Sequence, residues 1–437
     1  MKKAALCFAS RAYWNGQALE VSLSAHGQRQ NTYNYRVQEA AFSVLAKFAS
    51  KSQKVNLMKK LILCAASLVA GTLALTTAAR AQGPMSGESL SVAADGTVTV
   101  QNAVVPLPAN MSPGSREVLM RTKPSEGPGA PVATPSGISD MAEVRRIYNQ
   151  NLQPNVDHMR SVFPVDIEES TINGISVAII TPKGGVPAKN KNRLFLNGPG
   201  GGFVTGVRAN GLLISIPVAA TMGVKVVSIL YRQGPEYQFP AGSEDLLKVW
   251  DYYTKTYKPQ NIGMVGCSAG GALISQTTAM LIKAGRPTPG VLGNYCMGLG
   301  MAPTGDSQFF STLALTNVAA AMKRAQNPPP AREPSATPAP SINSYFKGVD
   351  MNQFIVSPTL DPKLLAKFPP TIFFTATRDF EMSPSIYSYR KLLDAGVPTE
   401  ILIFDGFYHG FMTNPDFPEA QEGYKLAARF FDEHLGK

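Results

Sequence analysis

The chain of 437 residues has little cysteine and little histidine, four of each. No Cys-x-x-Cys pair or histidine cluster is present, so no run of residues has metal-ligand spacing, and no metal or cofactor is expected. Long apolar runs are also missing. The most apolar stretch, within residues 58–81, is short and rich in Ala and Thr, whereas a membrane-spanning helix needs about 20 consecutive apolar residues. A stable membrane anchor is therefore not expected.

Positive charge is plentiful, at a formal +11, but it is concentrated at the start of the chain. Residues 58–81 (MKKLILCAASLVAGTLALTTAARA) begin with two lysines, continue as an apolar stretch and end in Ala79-Arg80-Ala81. Charged start, apolar middle and small-x-small end are the three parts of a secretory signal peptide. Cleavage after Ala81 and a secreted or periplasmic location are expected. Residues 1–57 then precede the start of a normal signal and are expected to be a non-native upstream extension, disordered, with no function assigned. Without residues 1–81 the formal charge falls to about +2, which removes the case for nucleic acid or an anionic lipid surface as a partner.

What remains is long enough for one large α/β domain with a cap. Residues 82–160 read as an N-terminal arm with cap helices: a Gly/Pro-rich arm, then a helix at 139–159 with Ser139 or Asp140 as N-cap and Pro154 as an interruption. Residues 161–437 read as the catalytic domain. Strand-like runs at 175–181, 193–196, 225–231, 261–265, 293–297, 370–377 and 399–405 alternate with helical stretches at 243–257, 269–284, 383–395 and 418–435. Such alternation implies a mostly parallel sheet covered by helices on both faces. An insertion at about 301–360 holds an apolar helix candidate (309–324) and a Pro-rich stretch (327–340), and reads as part of the cap.

Three side chains carry the chemistry. Ser268 sits at the tip of Gly266-Cys267-Ser268-Ala269-Gly270, between a buried strand and a helix, and Asp379 and His409 follow in order. A sharp strand-to-helix turn needs small flanking residues and pushes the hydroxyl above the sheet edge, while the N–H groups after it face a site that favours negative charge. A nucleophile, an orienting acid and a general base are the roles these residue types fill. Glu381 and Asp405 are rival carboxylates for the acid, and Asp379 is favoured because it directly follows the strand. Of the other histidines, His26 precedes the signal, His158 falls in the cap helix and His434 in the last turn of the final helix, which leaves His409 as the base. Glu236 reads as a structural ion-pair partner. Upstream, RLFLNGPGGGFVTG (193–206) is a strand followed by three consecutive glycines, which let main-chain N–H donors approach a bound oxyanion.

Taken together, PGGGF (199–203), YRQGPE with FPA (231–241), GCSAGG (266–271), TRDFEMS (377–383) and YHGF (408–411) resemble the motif set of hormone-sensitive-lipase-like carboxylesterases of the α/β-hydrolase superfamily, in order, over roughly residues 170–437. The resemblance implies an α/β-hydrolase fold. It also implies Ser268 as nucleophile, His409 as base, Asp379 as orienting acid, and main-chain N–H groups of Gly201, Gly202 and Ala269 as the oxyanion hole. The implied activity is acyl transfer to water on small to medium neutral esters, through an acyl-enzyme and without cofactor or metal. A non-catalytic ligand-binding relative, or an amidase, lactonase or polyester hydrolase using the same triad, are the alternatives. The partner is a small-molecule ester; the sequence specifies no oligomeric state, a homodimer included. Two positions depart from the family pattern: Pro199 stands where it has histidine, and Cys267 where it has aspartate. In the implied fold Cys267 and Cys296 lie on neighbouring strands and an exported chain could pair them; two buried thiols are expected, because the turn around Cys267 has tightly set geometry.

Overall fold

The computed structural model describes residues 107–121, 140–301, 305–311 and 342–436, together with four short strands before residue 105. The chain divides into two units, Met1–Val104 and Val105–Lys437. In the first, β1 (Cys7–Trp14) and β2 (Gln17–Ser24) pair antiparallel, as do β3 (Leu90–Val92) and β4 (Val98–Val100). Residues 7–24, expected to lack regular structure, thus include a paired hairpin. Trp14 pairs with Gln17, which leaves Asn15-Gly16 as the connection; Asn-Gly between β-prone runs is a strong hairpin signal that the sequence reading passed over. The signal segment at 58–81 lies outside the described residues, as do most of the expected cap helix and the Pro-rich stretch. No described helix is long and apolar enough to cross a membrane.

The second unit is built on one sheet of eight strands: β5 (Val165–Ile172), β6 (Ile175–Pro182), β7 (Leu194–Gly198), β8 (Lys225–Ile229), β9 (Ile262–Cys267), β10 (Val291–Tyr295), β11 (Thr371–Arg378) and β12 (Thr399–Tyr408). Their order across the sheet is β12-β11-β10-β9-β7-β8-β6-β5. From β8 to β12 every pairing is parallel, and β6 joins β8 and β5 antiparallel at one edge. The central strands are buried on both faces, so successive residues serve opposite cores. Phe195 enters one hydrophobic cluster, while its neighbours Leu194 and Leu196 enter the other. Each such side chain contributes about 1.5–3 kcal/mol by leaving water.

Helices cover both faces. On one lie α1 (Pro113–Arg121), α2 (Met141–Val162) and α3 (Val207–Met222). On the other lie α4 (Ala241–Tyr253), α5 (Ala269–Lys283) and α6 (Met382–Asp394), and α7 (Pro418–His434) returns to the first. The N-cap of α2 is Asp140, whose carboxylate accepts from Ala142 N–H. Pro154 does not interrupt this helix, contrary to expectation. Pro154 and Gln150, whose carbonyl loses its partner, are both exposed, so water can satisfy the freed acceptor. The sequence reading did not identify α3. It is buried almost all round and has no polar face to set a period, and its ends are marked only by left-handed Gly206 and Gly223.

The strand order positions the site. From β7 the chain passes through α3 to β8 on one side, then through α4 to β9 on the other. The segments leaving β7 and β9 therefore diverge over the carboxyl ends of two adjacent strands, which opens a crevice there.

Candidate active site

Ser268 ends β9 and begins α5 with φ 59° and ψ −129°, a conformation that non-glycine residues avoid. Small neighbours make the turn possible. A Cβ on Gly266 would lie 2.4 Å from the Gly270 carbonyl carbon, and one on Gly270 would lie 1.8 Å from the Gly198 oxygen. The elbow is fixed from outside by the Ser268 N–H, which donates to the Tyr295 carbonyl of β10 at 2.9 Å.

The glycine loop after β7 lies directly against this elbow. A Cβ on Gly200 would approach the Cys267 carbonyl oxygen to 2.7 Å and the Ser268 Cβ to 3.5 Å. Gly201 and Gly202 have φ of +116° and +61°, and the Gly201 carbonyl accepts from Val204 and Thr205 N–H, closing the loop on itself. Among the described residues, no hydrogen bond uses the N–H of Gly201, Gly202 or Ala269. These are the three donors expected from the sequence, and they remain available to an incoming acceptor.

Pro199, in place of the family's histidine, is held by other means. Its carbonyl accepts from the buried Tyr231 hydroxyl at 3.1 Å. Further along, Gln233 donates to the Thr205 carbonyl at 2.9 Å, Arg145 Nε donates to the Val204 carbonyl at 2.9 Å, and the Phe203 ring stacks on Tyr345 at 4.7 Å. Arg145 also pairs with Glu236, at 2.7 Å, which confirms the structural role expected for that glutamate. Sequence reading missed Arg145, Gln233 and Tyr345. Gln233 alone lay inside a recognised motif; the other two reach the loop from distant segments.

Asp379 follows β11 and His409 follows β12, and their parallel pairing brings the two together. His409 Nδ1 and Asp379 Oδ1 are 2.7 Å apart. The aspartate is 1% exposed and also accepts from Thr375 Oγ1 and the Glu381 N–H. Burial pulls the imidazolium's pKa down, but the Asp379 charge and hydrogen bond, with Glu381 adding to them, leave it above the ordinary histidine value. Phe380 stacks on the imidazole with ring centroids 4.2 Å apart. Among the described residues no hydrogen bond joins the Ser268 hydroxyl to His409.

The serine elbow is linked covalently to the segment after β10. Cys267 and Cys296 form a disulfide, with Cα atoms 5.5 Å apart, which corrects the expectation of two buried thiols. The tight elbow does not prevent it, because Cys296 leaves β10 with a φ of 42° and turns back towards Cys267. Cys296 Sγ, an Asp379 oxygen and a His409 nitrogen lie within 4.8 Å of one another. The residue before the serine is thus bonded to one that lies beside the acid–base pair.

The rival carboxylates are placed differently. Asp405 is exposed and accepts from Thr377 Oγ1 at 2.8 Å. Glu381 lies beside the pair, but its Oε2 is buried without a hydrogen-bond partner. His158 makes an exposed pair with Asp416, and His434 packs on Phe430. His26 lies outside the described residues.

A mostly parallel sheet with a strained serine elbow, a glycine loop against it and an Asp–His pair two and three strands away defines a hydrolase of the α/β-hydrolase fold. The profile of the family described as alpha/beta hydrolase fold matches residues 199–413, from the glycine loop to just past His409. The chain is 27% identical over 274 residues to versiconal hemiacetal acetate esterase of Dothistroma septosporum, covering 59% of this chain and 77% of that one. It is 23% identical over 260 residues to ethyl acetate hydrolase of Pseudomonas putida, covering 54% and 71% respectively. The crystal structure of esterase E25 superposes with a TM-score of 0.62 at 26% identity, covering 77% of this chain and 98% of that one. The chain has the α/β-hydrolase fold and is similar to esterases of that fold.

Proposed function

We propose that the protein is a serine carboxylesterase acting on small to medium neutral esters through an acyl-enzyme. Ser268 attacks the ester carbonyl and His409 Nε2 takes its proton, while Asp379 accepts from Nδ1–H and stabilises the imidazolium. The carbonyl oxygen, gaining negative charge, is received by the free N–H groups of Gly201, Gly202 and Ala269. Expulsion of the alcohol, protonated by His409, leaves the acyl-serine, and water deprotonated by the same histidine releases the acid.

The observation that carries this reading is the hydrogen-bonded Asp379–His409 pair beside Cys296, whose disulfide partner Cys267 precedes a strained serine packed against the glycine loop. Two relatives are named for acetate esters, which favours a short acyl group. Export is part of the proposal, on the strength of the signal-like segment at 58–81. Wild-type protein should turn over p-nitrophenyl acetate and butyrate, and Ser268→Ala should abolish the reaction. Equal rates in the two proteins would overturn the assignment. N-terminal sequencing of exported material should read from Gln82.

A further inference from the structure

We propose that Glu381 is a positioning residue for His409: a second carboxyl, enclosed beside the Asp379–His409 pair, that holds the imidazolium form and sets where the base titrates. The proposal rests on His409 being the base.

The geometry places Glu381 in the same hydrogen-bonded unit as the pair. Its main-chain N–H donates to Asp379 Oδ1 at 2.9 Å, and that same oxygen meets His409 Nδ1 at 2.7 Å. Between Asp379 and Glu381 in the chain stands Phe380, whose ring covers one face of the imidazole. The glutamate backbone is anchored in turn, since its carbonyl accepts from Ser385 Oγ at 2.7 Å and the Phe380 carbonyl accepts from Ser307 Oγ at 2.8 Å. Acid, aromatic cover and second carboxyl thus occupy three consecutive residues on one fixed turn.

The side chain is neither an ordinary ion-pair partner nor solvated. The Gly298 backbone favours the ionised carboxylate, while Oε2 is buried and unpartnered among the described residues. An unpartnered carboxylate oxygen in such a place is costly unless a nearby positive charge compensates it. Of the two ionisable groups that act on Glu381 electrostatically, His409 is the one that supplies such a charge. Asp379 opposes it, and the segment after β10 contributes only the Gly298 N–H and a disulfide that does not titrate. Asp306, on the neighbouring short helix, is exposed. Burial first, and the Asp379 charge second, push the Glu381 carboxyl up to about 7, with His409 and the Gly298 N–H pulling it back. The glutamate and histidine therefore titrate as a coupled pair, each ionised form favouring the other.

Two measurements test this. One is the pH dependence of kcat/KM for p-nitrophenyl acetate; the other is the titration of the His409 imidazole by NMR, which needs no turnover and is repeated in Ser268→Ala. Glu381→Gln should move the acid limb and the imidazole titration to lower pH, leave KM unchanged, and at pH 6 retain a share of its plateau rate about twofold or more above wild type. Glu381→Asp should lie nearer the wild type. Superposable NMR titrations in wild type and Glu381→Gln would overturn the proposal. If Glu381→Gln does not fold, the wild-type imidazole decides: two inflections support the coupling, and a single simple step refutes it. Absence of esterase activity with the NMR shift intact would defeat the proposed function alone.

Discussion

Reducing the Cys267–Cys296 bond removes a covalent tie between the serine elbow and the end of β10, beside the acid–base pair. The bond closes a loop across a sequence separation of 29. In the chain-entropy treatment, opening such a loop frees the unfolded chain by roughly 3.6 kcal/mol at 25 °C. The native sheet does not depend on the bond for its register, because β9 and β10 pair in parallel from Val291 opposite Gly263 to Tyr295 opposite Cys267. Most of the loss should therefore appear in the unfolded state. Spread over the Val105–Lys437 unit, whose unfolding entropy is on the order of 0.7 kcal/mol/K, the melting temperature should fall by about 5 °C. Calorimetry of wild type and the double variant Cys267→Ala/Cys296→Ala, each with and without a phosphine reductant, reads this directly. The reductant should lower the wild type towards the variant and leave the variant unchanged. Activity should fall with it, mainly in kcat, since a displacement of about 1 Å at the nucleophile can cost a hundredfold. Identical wild-type melting curves with and without reductant, with peptide mapping showing two free thiols, would refute the reasoning.

Two further changes test the site. Gly270→Ala puts a methyl group 1.8 Å from the Gly198 carbonyl oxygen, with backbone on both sides and no flexible side chain to yield. It should destabilise by at least about 1–3 kcal/mol in a denaturant titration and abolish activity even where folded. Asp379→Asn keeps the shape but offers His409 no carboxylate, so kcat for p-nitrophenyl acetate should drop by about a thousandfold or more with KM little changed. The same variant should titrate His409 by NMR at lower pH than wild type, since both the charge and the hydrogen bond that raise it are weakened.

Local signals in the sequence located most of the sheet. Seven of the eight strands of the main sheet begin within two residues of the runs that announced them; the central ones, buried on both faces, are apolar along most of their length. β5 escaped because it is half-exposed and carries three acidic residues, and α3 because it is buried almost all round. The site divides in the same way. Ser268, its flanking glycines and the glycine loop were legible because each motif encodes its own backbone geometry. Asp379 and His409 were legible as strand-end residues, and only the parallel pairing of β11 with β12 turned two positions into a hydrogen bond. The disulfide was misjudged because its geometry depends on Cys296 turning back at the end of β10, which no local pattern announces.

The two departures from the family pattern belong together physically. Aspartate at position 267 would have put a charge immediately before the nucleophile; here that position carries a neutral sulfur bonded to Cys296, and Cys296 faces the Asp379–His409 pair. Negative charge beside the imidazole comes from Asp379, with Glu381 two residues further along the same turn. Pro199 likewise gives up a histidine side chain while Tyr231, Gln233 and Arg145 hold the loop through its carbonyls. Both positions are tied to segments distant in sequence, Cys267 through its disulfide and Pro199 through the Tyr231 hydroxyl. The elbow and glycine loop consequently owe more of their rigidity to the packed sheet around them, and substitutions at Tyr231, Gln233 or Arg145 should reach the oxyanion donors without touching a substrate.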